Sequence, residues 1–455
     1  MDFLTVLNEI DNFIWGPPLL VLLVGTGILL TIRLHLLQIF KLPKALSLIF
    51  RAQNAGSGDI DSFKALCTAL SATVGTGNIV GVATAIHAGG PGALFWMWMA
   101  AFFGMATKYA EGLLAVKYRE TDEKGEIAGG PMYYIKNGMG KKYKWLGGLF
   151  AFFGVLVAYF GIGTFAQVNS IVDITKMTIG LDPVWTGAIL TIFVAAITIG
   201  GLQSIAAAAS RIVPAMAFIY FLSTIGVLLV FADKVPAAVS MIFESAFTTT
   251  AATGGFLGAT VMMAMRNGVA RGVFSNESGL GSAPIVAAAA KTKWPAEQGL
   301  FSMTGTFIDT IIICTLTGLT LVVTGVWCGM ENGAALTNAA FTSAFPVFGG
   351  YMLLIGLVLF AFTTILGWNY YGERCMIYLV GTKGVLPYRL VFILLIASGA
   401  FLKLEAIWIL ADIVNGLMAI PNLIALLFLS GICVRETKKY MDHLKTGKPY
   451  EEYED

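Results

Sequence analysis

Long apolar stretches separated by short polar segments run along almost the whole chain. A bilayer core of about 30 Å requires about 20 apolar helical residues, and eleven stretches approach that length. They lie near residues 15–35, 65–88, 92–116, 146–172, 183–201, 211–231, 259–290, 298–327, 349–372, 387–402 and 406–432. The pattern therefore predicts an all-α polytopic membrane protein with eleven transmembrane helices. The seventh stretch is the weakest, because Arg266, Arg271 and a polar run interrupt it.

The composition agrees with a membrane protein and excludes several other classes. Hydrophobic residues make up 57% of the 455 residues and charged residues only 12%, whereas soluble chains contain about 25% charged residues. The mean hydropathy is +0.78. A net charge of +2 is too small for the strongly basic surface with which proteins bind nucleic-acid phosphates. The five cysteines show no spacing typical of a disulfide framework or a zinc site.

The distribution of Lys and Arg predicts the orientation. Eleven spans place the two termini on opposite sides of the membrane, and basic residues concentrate in cytoplasmic loops. With the N-terminus outside, 23 of the 29 Lys and Arg residues face the cytoplasm, and only Lys176, Lys234 and Lys403 face outward. We therefore expect a multi-pass protein of the cell membrane with its C-terminus in the cytoplasm.

Two of the predicted spans contain sequences that break a helix. Gly75 and Gly77 flank Thr76 in the middle of span two, and each glycine weakens a helix by about 1 kcal/mol relative to alanine. In span seven, residues 275–284 read SNESGLGSAP, which is too polar for a lipid-facing helix. Unwound backbone in a membrane persists only where it faces protein or a wet cavity. The alternative for the first site alone is a glycine groove for close helix packing.

The two breaks predict an internal repeat. Each break opens a block of five spans, and broken helices at corresponding places in two halves are typical of the central site of a transporter. Five spans reverse the topology, so spans 2–6 and 7–11 would be inverted repeats. The predicted units are an extra helix and cytoplasmic connector (1–64), the first repeat (65–231), an extracellular connector (232–258), the second repeat (259–432) and a cytoplasmic tail (433–455).

Other polar residues within the spans are further candidates. The hydroxyls of Thr363 and Thr364 could coordinate sodium, or could bond back to carbonyls of their own helix. Ionisable residues within spans are functional candidates by default. We expect Lys108 and Glu111 to pair with each other rather than relay a proton, and Asp309 to form buried hydrogen bonds rather than couple an ion. Further expectations are that Glu277 ties the second break together and that Arg271 anchors or gates.

Several motifs resemble the signatures of one family. These are GGPGALFWMWM at 89–99, GTGN at 75–78, GVFSNESGLGSAP at 272–284 and LGWNYYGE at 366–373. The chain is similar to the alanine/glycine:cation symporters over essentially its whole length. The resemblance implies the leucine-transporter fold, a five-plus-five inverted repeat, with the first span outside that core.

The resemblance also implies the site residues. The amino-acid carboxylate would bind at Gly75, Thr76, Gly77 and Asn78. The ammonium would meet Gln167 and the backbone of Val273, Phe274, Ser275 and Asn276, while Phe274 and Trp368 limit the side chain. Sodium would bind the carbonyls of Ser71, Val74 and Phe360 and the hydroxyls of Thr363 and Thr364, with a weaker second position near Asn78 and Asn276.

The predicted function is sodium-coupled import of small neutral amino acids, alanine and glycine, by alternating access. Both enantiomers of alanine would fit if only the carboxylate and ammonium are recognised. We expect the protein to act as a monomer in the bilayer and to be no enzyme, since it contains no HExxH, GxSxG or phosphate-loop motif. The alternatives are a proton-coupled carrier with Glu277 or Asp309 as proton acceptor, and a channel or receptor.

Overall fold

The computed structural model describes residues 3–50, 56–250, 258–401 and 405–453. Nearly all of these residues are helical. The α-helices before residue 250 are α1 (Phe3–Ile14), α2 (Pro17–Arg33), α3 (Leu37–Phe40), α4 (Leu42–Ile49), α5 (Ser62–Thr73), α6 (Val82–Gly89), α7 (Gly92–Lys117), α8 (Pro131–Tyr134), α9 (Lys144–Phe160), α10 (Phe165–Ile179), α11 (Pro183–Thr198), α12 (Gly201–Val230) and α13 (Val235–Phe247).

The described part after residue 258 is helical as well. Its α-helices are α14 (Val261–Asn276), α15 (Pro284–Ala287), α16 (Pro295–Thr306), α17 (Thr315–Thr324), α18 (Gly333–Ala344), α19 (Gly349–Val380), α20 (Val385–Gly399) and α21 (Glu405–Thr446). Stretches of π-helix occupy Gly77–Gly81, Ile135–Met139 and Phe307–Cys314, and 3₁₀ turns occupy Lys141–Tyr143, Ala232–Lys234, Val326–Cys328, Thr382–Gly384 and Tyr450–Tyr453.

A short antiparallel hairpin connects α7 to α8. Its strands are β1 (Glu120–Thr121) and β2 (Ile127–Ala128), and Glu120 lies opposite Ala128. The hairpin lies in the long loop around residues 117–145, which carries seven of the basic residues that the predicted orientation places in the cytoplasm. We call the end of the bundle that carries this loop the basic end.

Local sequence sets several helix ends. The Asp61 carboxylate accepts a hydrogen bond of 2.8 Å from the Lys64 amide and so caps the start of α5. Pro183 begins α11 directly after Asp182, whose side chain accepts from the Val184 amide. Gly180 ends α10 with a φ of +68°, in the left-handed region that glycine enters without steric cost.

Most of the predicted spans coincide with long apolar helices, but the count of eleven is not confirmed. Among the described residues, seven helical stretches are long and apolar enough to cross a membrane, and eight if the bent pair formed by residues 62–73 and 77–89 is one span. Three predicted spans fall short of that test. The helix α7 carries Lys108 and Glu111, α11 has 16 residues, and α14 ends after 16 residues at a break.

The two predicted breaks are present. The axes on either side of the first break differ by 52°, and seven residues separate the end of α14 at Asn276 from the start of α15 at Pro284. A third interruption was not predicted: span 146–172 is not continuous, because residues 161–164 separate α9 from α10. The connector at 232–258 contains α13, while its residues 251–257 lie outside the described part.

The broken helices lie inside the bundle because longer helices surround them. The helix α7 packs against α14 and α16, and α19 packs against α5, α9, α10 and α12. A Cβ atom on Gly367 of α19 would lie 2.7 Å from the Ala72 side chain, so α5 and α19 approach at backbone distance. This contact brings the first break beside the paired threonines of α19.

Candidate functional site

The first break is held open by side chains instead of helical hydrogen bonds. The Asn78 side-chain oxygen accepts a hydrogen bond of 2.9 Å from the Gly75 amide. The Gln167 side-chain oxygen, on α10, accepts from the Thr76 amide at 3.3 Å. The Thr76 hydroxyl is buried and has no hydrogen-bond partner within the described structure. A buried polar group without a partner is costly, so this position favours a ligand with polar atoms.

The second break is tied together by Glu277, as predicted. Glu277 has a φ of +56°, and Gly279 and Gly281 follow with φ of +90° and +84°, which ends α14 abruptly. The Glu277 carboxylate accepts hydrogen bonds from the Trp368 indole at 2.9 Å and from the Ser282 hydroxyl at 2.5 Å. Trp368 is therefore anchored to the break.

Lys108, Glu111 and Asn422 hold the same break from outside. The Lys108 ammonium donates to the Asn276 carbonyl at 2.8 Å. The Glu111 carboxylate accepts from the Gly279 amide at 3.1 Å and from the Asn422 amide at 2.7 Å. Lys108 and Glu111 attract each other electrostatically, as predicted, but their hydrogen bonds go to other groups. Each instead satisfies backbone or side-chain groups that the broken helix leaves exposed.

Asp309 joins the two breaks. Its carboxylate accepts from the Asn78 amide at 2.7 Å and from the Ser275 hydroxyl at 2.9 Å. Thr310 donates to the same carboxylate and accepts from Asn276 at 3.0 Å. The expected hydrogen-bonding role of Asp309 is confirmed. The sequence did not indicate that its partners would lie on both broken helices.

The glycine of the first break allows the two broken segments to touch. A Cβ atom on Gly77 would lie 3.0 Å from the Ser275 Cα and 3.4 Å from the Phe274 ring. Val273, Phe274, Ser275 and Asn276 are all nearly or fully buried. The structure thus brings together the residues predicted to bind substrate on the two segments.

Of the predicted sodium ligands, Thr364 and Val74 meet where α19 contacts the first break. The Thr364 hydroxyl lies 3.5 Å from the Val74 carbonyl and 3.1 Å from the Phe360 carbonyl. Thr363 also donates to the Phe360 carbonyl, at 3.0 Å, but its hydroxyl additionally contacts a methionine of α12. The Ser71 hydroxyl bonds to a carbonyl of its own helix. Neutral hydroxyl and carbonyl oxygens of this kind suit a hard monovalent cation.

Aromatic side chains bound the candidate site on two sides. A Cβ atom on Gly163, in the unpredicted third interruption, would lie 2.8 Å from the Cβ of Trp368. This interruption lets α19 approach the segment that carries Gln167. On the other side, the Arg271 guanidinium lies 5.4 Å from the centre of the Phe274 ring.

A cleft of about 410 Å³ leads to Phe274 from the end of the bundle opposite the basic end. Arg271 forms an ion pair of 3.1 Å with Asp412 in this cleft. Asp11 and Arg266 also line the cleft, so charged groups of both signs surround its entrance. The pairing of Arg271 supports the prediction that it anchors or gates.

The basic end is closed by backbone contacts centred on Arg119. Its guanidinium donates to the carbonyls of Ser57, Ala288 and Ala290 at 2.7–2.8 Å. The amides of Asp59 and Ile60 both donate to a carbonyl of the segment after α15, at 2.8 and 3.1 Å. Burial raises the pKa of Asp59, against the lowering effect of its hydrogen bond from a hairpin amide. These contacts join the chain before α5 to the chain that follows the second break.

Comparison with known proteins agrees with this geometry. The model of the Sodium:alanine symporter family matches residues 1–454. An uncharacterized transporter of Haemophilus influenzae is 57% identical over 447 residues, covering 98% of this chain and 98% of that protein. The sodium/alanine symporter AgcS of Methanococcus maripaludis is 52% identical over 448 residues, covering 97% and 98%.

The solved structure of MhsT in complex with L-phenylalanine has the same fold. The TM-score is 0.57 at 11% sequence identity, and the match covers 84% of this chain and 98% of that one. The leucine-transporter-like fold predicted from the sequence is thereby confirmed. With a family match along nearly its whole length and a relative more than 50% identical, the chain belongs to the sodium:alanine symporter family.

Proposed function

We propose that this protein imports alanine and glycine together with sodium by alternating access. The observation that carries the proposal is the position of Thr364, whose hydroxyl reaches from α19 to the Val74 carbonyl at the first break. The same break contacts the second broken helix through Gly77. An ion and an amino acid bound there would each bridge elements that must move relative to one another.

The substrate carboxylate would bind the amides of the first break. In the structure the Gln167 oxygen accepts from the Thr76 amide at 3.3 Å, a long contact that a carboxylate can replace. Release of that oxygen leaves Gln167 free to accept from the substrate ammonium. The unpartnered Thr76 hydroxyl would gain a partner at the same time. These exchanges support recognition of both ends of a zwitterion by one short segment.

The side chain of the substrate would face Phe274 and Trp368. Both aromatic residues are almost completely buried, and Trp368 is anchored by its bond to Glu277. A wall fixed in this way costs about 1–3 kcal/mol to displace when a larger group is inserted. This supports a preference for hydrogen or methyl side chains. Because the polar contacts involve only the carboxylate and ammonium, we expect D-alanine to compete with L-alanine.

Sodium would favour the arrangement in which α19 is held against the first break. A ligand shifts a conformational equilibrium only through different affinities for the two states. An ion between Val74 and Thr364 binds only where those oxygens converge, so it stabilises the state with the cleft open to Phe274 and the basic end closed by Arg119. We propose that the basic end faces the cytoplasm, that the N-terminus lies outside and that the monomer is the transporting unit.

The test is uptake of radiolabelled alanine into liposomes with an inward gradient of sodium, of potassium or of protons. Thr364→Ala should raise the sodium concentration for half-maximal uptake about 5- to 150-fold, because one lost hydroxyl ligand is worth about 1–3 kcal/mol. Thr191→Ala is the matched control, since its hydroxyl bonds only within α11 in the described structure. Unchanged sodium dependence in Thr364→Ala would refute the ion site, and uptake driven by protons without sodium would favour the proton-coupled alternative.

A further inference from the structure

A pocket of about 640 Å³ lies at the basic end, away from the two breaks. It is formed by the end of α2, the short helix α3 and the last part of α21. We propose that this pocket binds one anionic phospholipid, with the phosphate among basic side chains and the acyl chains along an apolar wall. The site is independent of the amino-acid and sodium site.

The basic side chains of the pocket are Arg33, Lys41 and Lys438. Arg33 donates to the Ser430 hydroxyl at 2.6 Å, which orients its guanidinium toward α21. The residues that line the pocket include no acidic side chain. The Glu436 carboxylate, also on α21, forms ion pairs with Lys117 and Lys439, which lie outside the pocket lining.

The three cations therefore form a cluster of one charge sign. Within the described residues, none of them takes part in an ion pair with a carboxylate. Like charges held close together repel one another unless an anion lies between them. Basic pockets between helices at the cytoplasmic side of a membrane are suited to anionic lipid headgroups.

The remaining wall of the pocket is mainly apolar, with His35 and Thr437 as its polar members. Leu37, Phe40 and Val434 contribute to it, and Phe40 is 69% exposed at the surface of α3. His35 and Leu36 have φ values of +54° and +53°, and this sharp turn leads from the end of α2 into α3. The turn places an exposed apolar helix directly beside the cations.

The combination of cations and apolar surface favours a lipid over a soluble phosphate. A free phosphate would use only the charged part of the pocket. A phospholipid also covers Phe40 and its apolar neighbours, and burial of apolar surface is favourable in proportion to its area. The level of the pocket agrees, since α2 ends at Arg33, where a span reaches the membrane surface.

The experiment uses the full-length protein purified from vesicles that contain equal amounts of dioleoylphosphatidylglycerol and dioleoylphosphatidylcholine. Native mass spectrometry then counts the lipids that stay bound. The test variant is Arg33→Gln/Lys41→Gln/Lys438→Gln. The control is Lys124→Gln/Lys141→Gln/Lys383→Gln, which removes the same charge from exposed positions outside the pocket.

We expect the unchanged protein and the control to retain one phosphatidylglycerol in preference to phosphatidylcholine. Each basic group near an anionic headgroup contributes about fivefold to binding, so the triple variant should bind about 100-fold more weakly. Lys438→Gln alone, at an exposed position, should give a smaller loss in a protein whose fold is undisturbed. Equal retention by the test and control variants would overturn the proposal, as would displacement of the lipid by millimolar glycerol phosphate, which would indicate a site for soluble anions.

Discussion

Gly75→Ala provides a sharp test of the contact between the first break and α19. A Cβ atom at this position would lie 2.3 Å from the Thr364 hydroxyl oxygen and 3.2 Å from the Thr364 Cβ. The first distance is about 1 Å shorter than an ordinary van der Waals contact. Thr364 is fully buried and β-branched, so it has few alternative rotamers with which to avoid the methyl group. Either its hydroxyl turns away from Val74 or the break moves away from α19.

Both responses separate the oxygens that we assign to sodium. Overpacking by one methyl group costs about 1–3 kcal/mol, and 1.4 kcal/mol corresponds to a factor of ten in an equilibrium constant. We therefore expect the sodium concentration for half-maximal alanine uptake to rise about 5- to 150-fold. The measurement is initial uptake in proteoliposomes as a function of external sodium, with osmolarity held constant by choline.

The matched control is Gly148→Ala in α9, where a Cβ atom would meet nothing within 4 Å. It should leave uptake unchanged, because the same chemical change creates no clash there. The double variant Gly75→Ala/Thr364→Ser should recover part of the sodium affinity, because serine keeps the hydroxyl and loses the methyl that restricts it. Wild-type sodium dependence in Gly75→Ala would show that Thr364 and the first break do not share an ion.

Two further predictions concern the groups that hold the site and close its basic end. Glu277→Gln should reduce alanine uptake at saturating sodium about tenfold or more, with the sodium dependence retained. The reason is that one carboxylate oxygen, which accepts a hydrogen bond from Trp368 or Ser282, becomes an amide donor. Arg119→Gln should loosen the closure at the basic end, because it removes a guanidinium that donates to several backbone carbonyls. Ser57→Cys in that background should react with a membrane-impermeant maleimide several-fold faster than in the unchanged background.

Exposed residues supply controls for both variants. Glu331→Gln, at an exposed position, should leave uptake unchanged. An equal loss in this variant would show that the loss in Glu277→Gln does not come from its hydrogen bonds at the second break. Lys124→Gln lies in the same loop as Arg119 and is exposed, so it should not alter the labelling of Ser57→Cys. If labelling is equally fast in both backgrounds, Arg119 does not hold the basic end closed.

Much of the candidate site could be predicted because helix breaks are local properties. Two glycines around Thr76 and the polar run after Phe274 weaken a helix wherever they occur, and both breaks lie where expected. The third interruption contains a similar signal, Gly161-Ile162-Gly163, but the apolar stretch around it is long enough to be interpreted as one continuous span. Its role, which is to let α19 approach the segment that carries Gln167, follows only from the contact between Gly163 and Trp368 in the structure.

The partners of the breaks could not be predicted in the same way. Lys108 and Glu111 are three residues apart, which favours a pair on one helix face. In the structure, each forms a hydrogen bond with a backbone group of the second break. The reason is that a backbone polar group left without a hydrogen bond inside a membrane is costly in free energy. Asn422 contacts the same break from more than 140 residues away, and no local pattern indicates that contact.

The amino-acid pattern alone predicts a bundle of membrane helices and the positions of two helix breaks, and its motifs resemble those of one family. The helices and the breaks follow from apolar length and from local glycine and proline, whereas the family follows from the resemblance of the motifs. The packing of distant helices makes Asp309 bridge the two breaks and brings Thr364 to Val74. It also places three cations, which form no ion pair with a described carboxylate, around a pocket at the basic end. The physical reason is that polar groups released by a broken helix must find partners within the bundle, and the packing of distant helices determines which side chains are within reach.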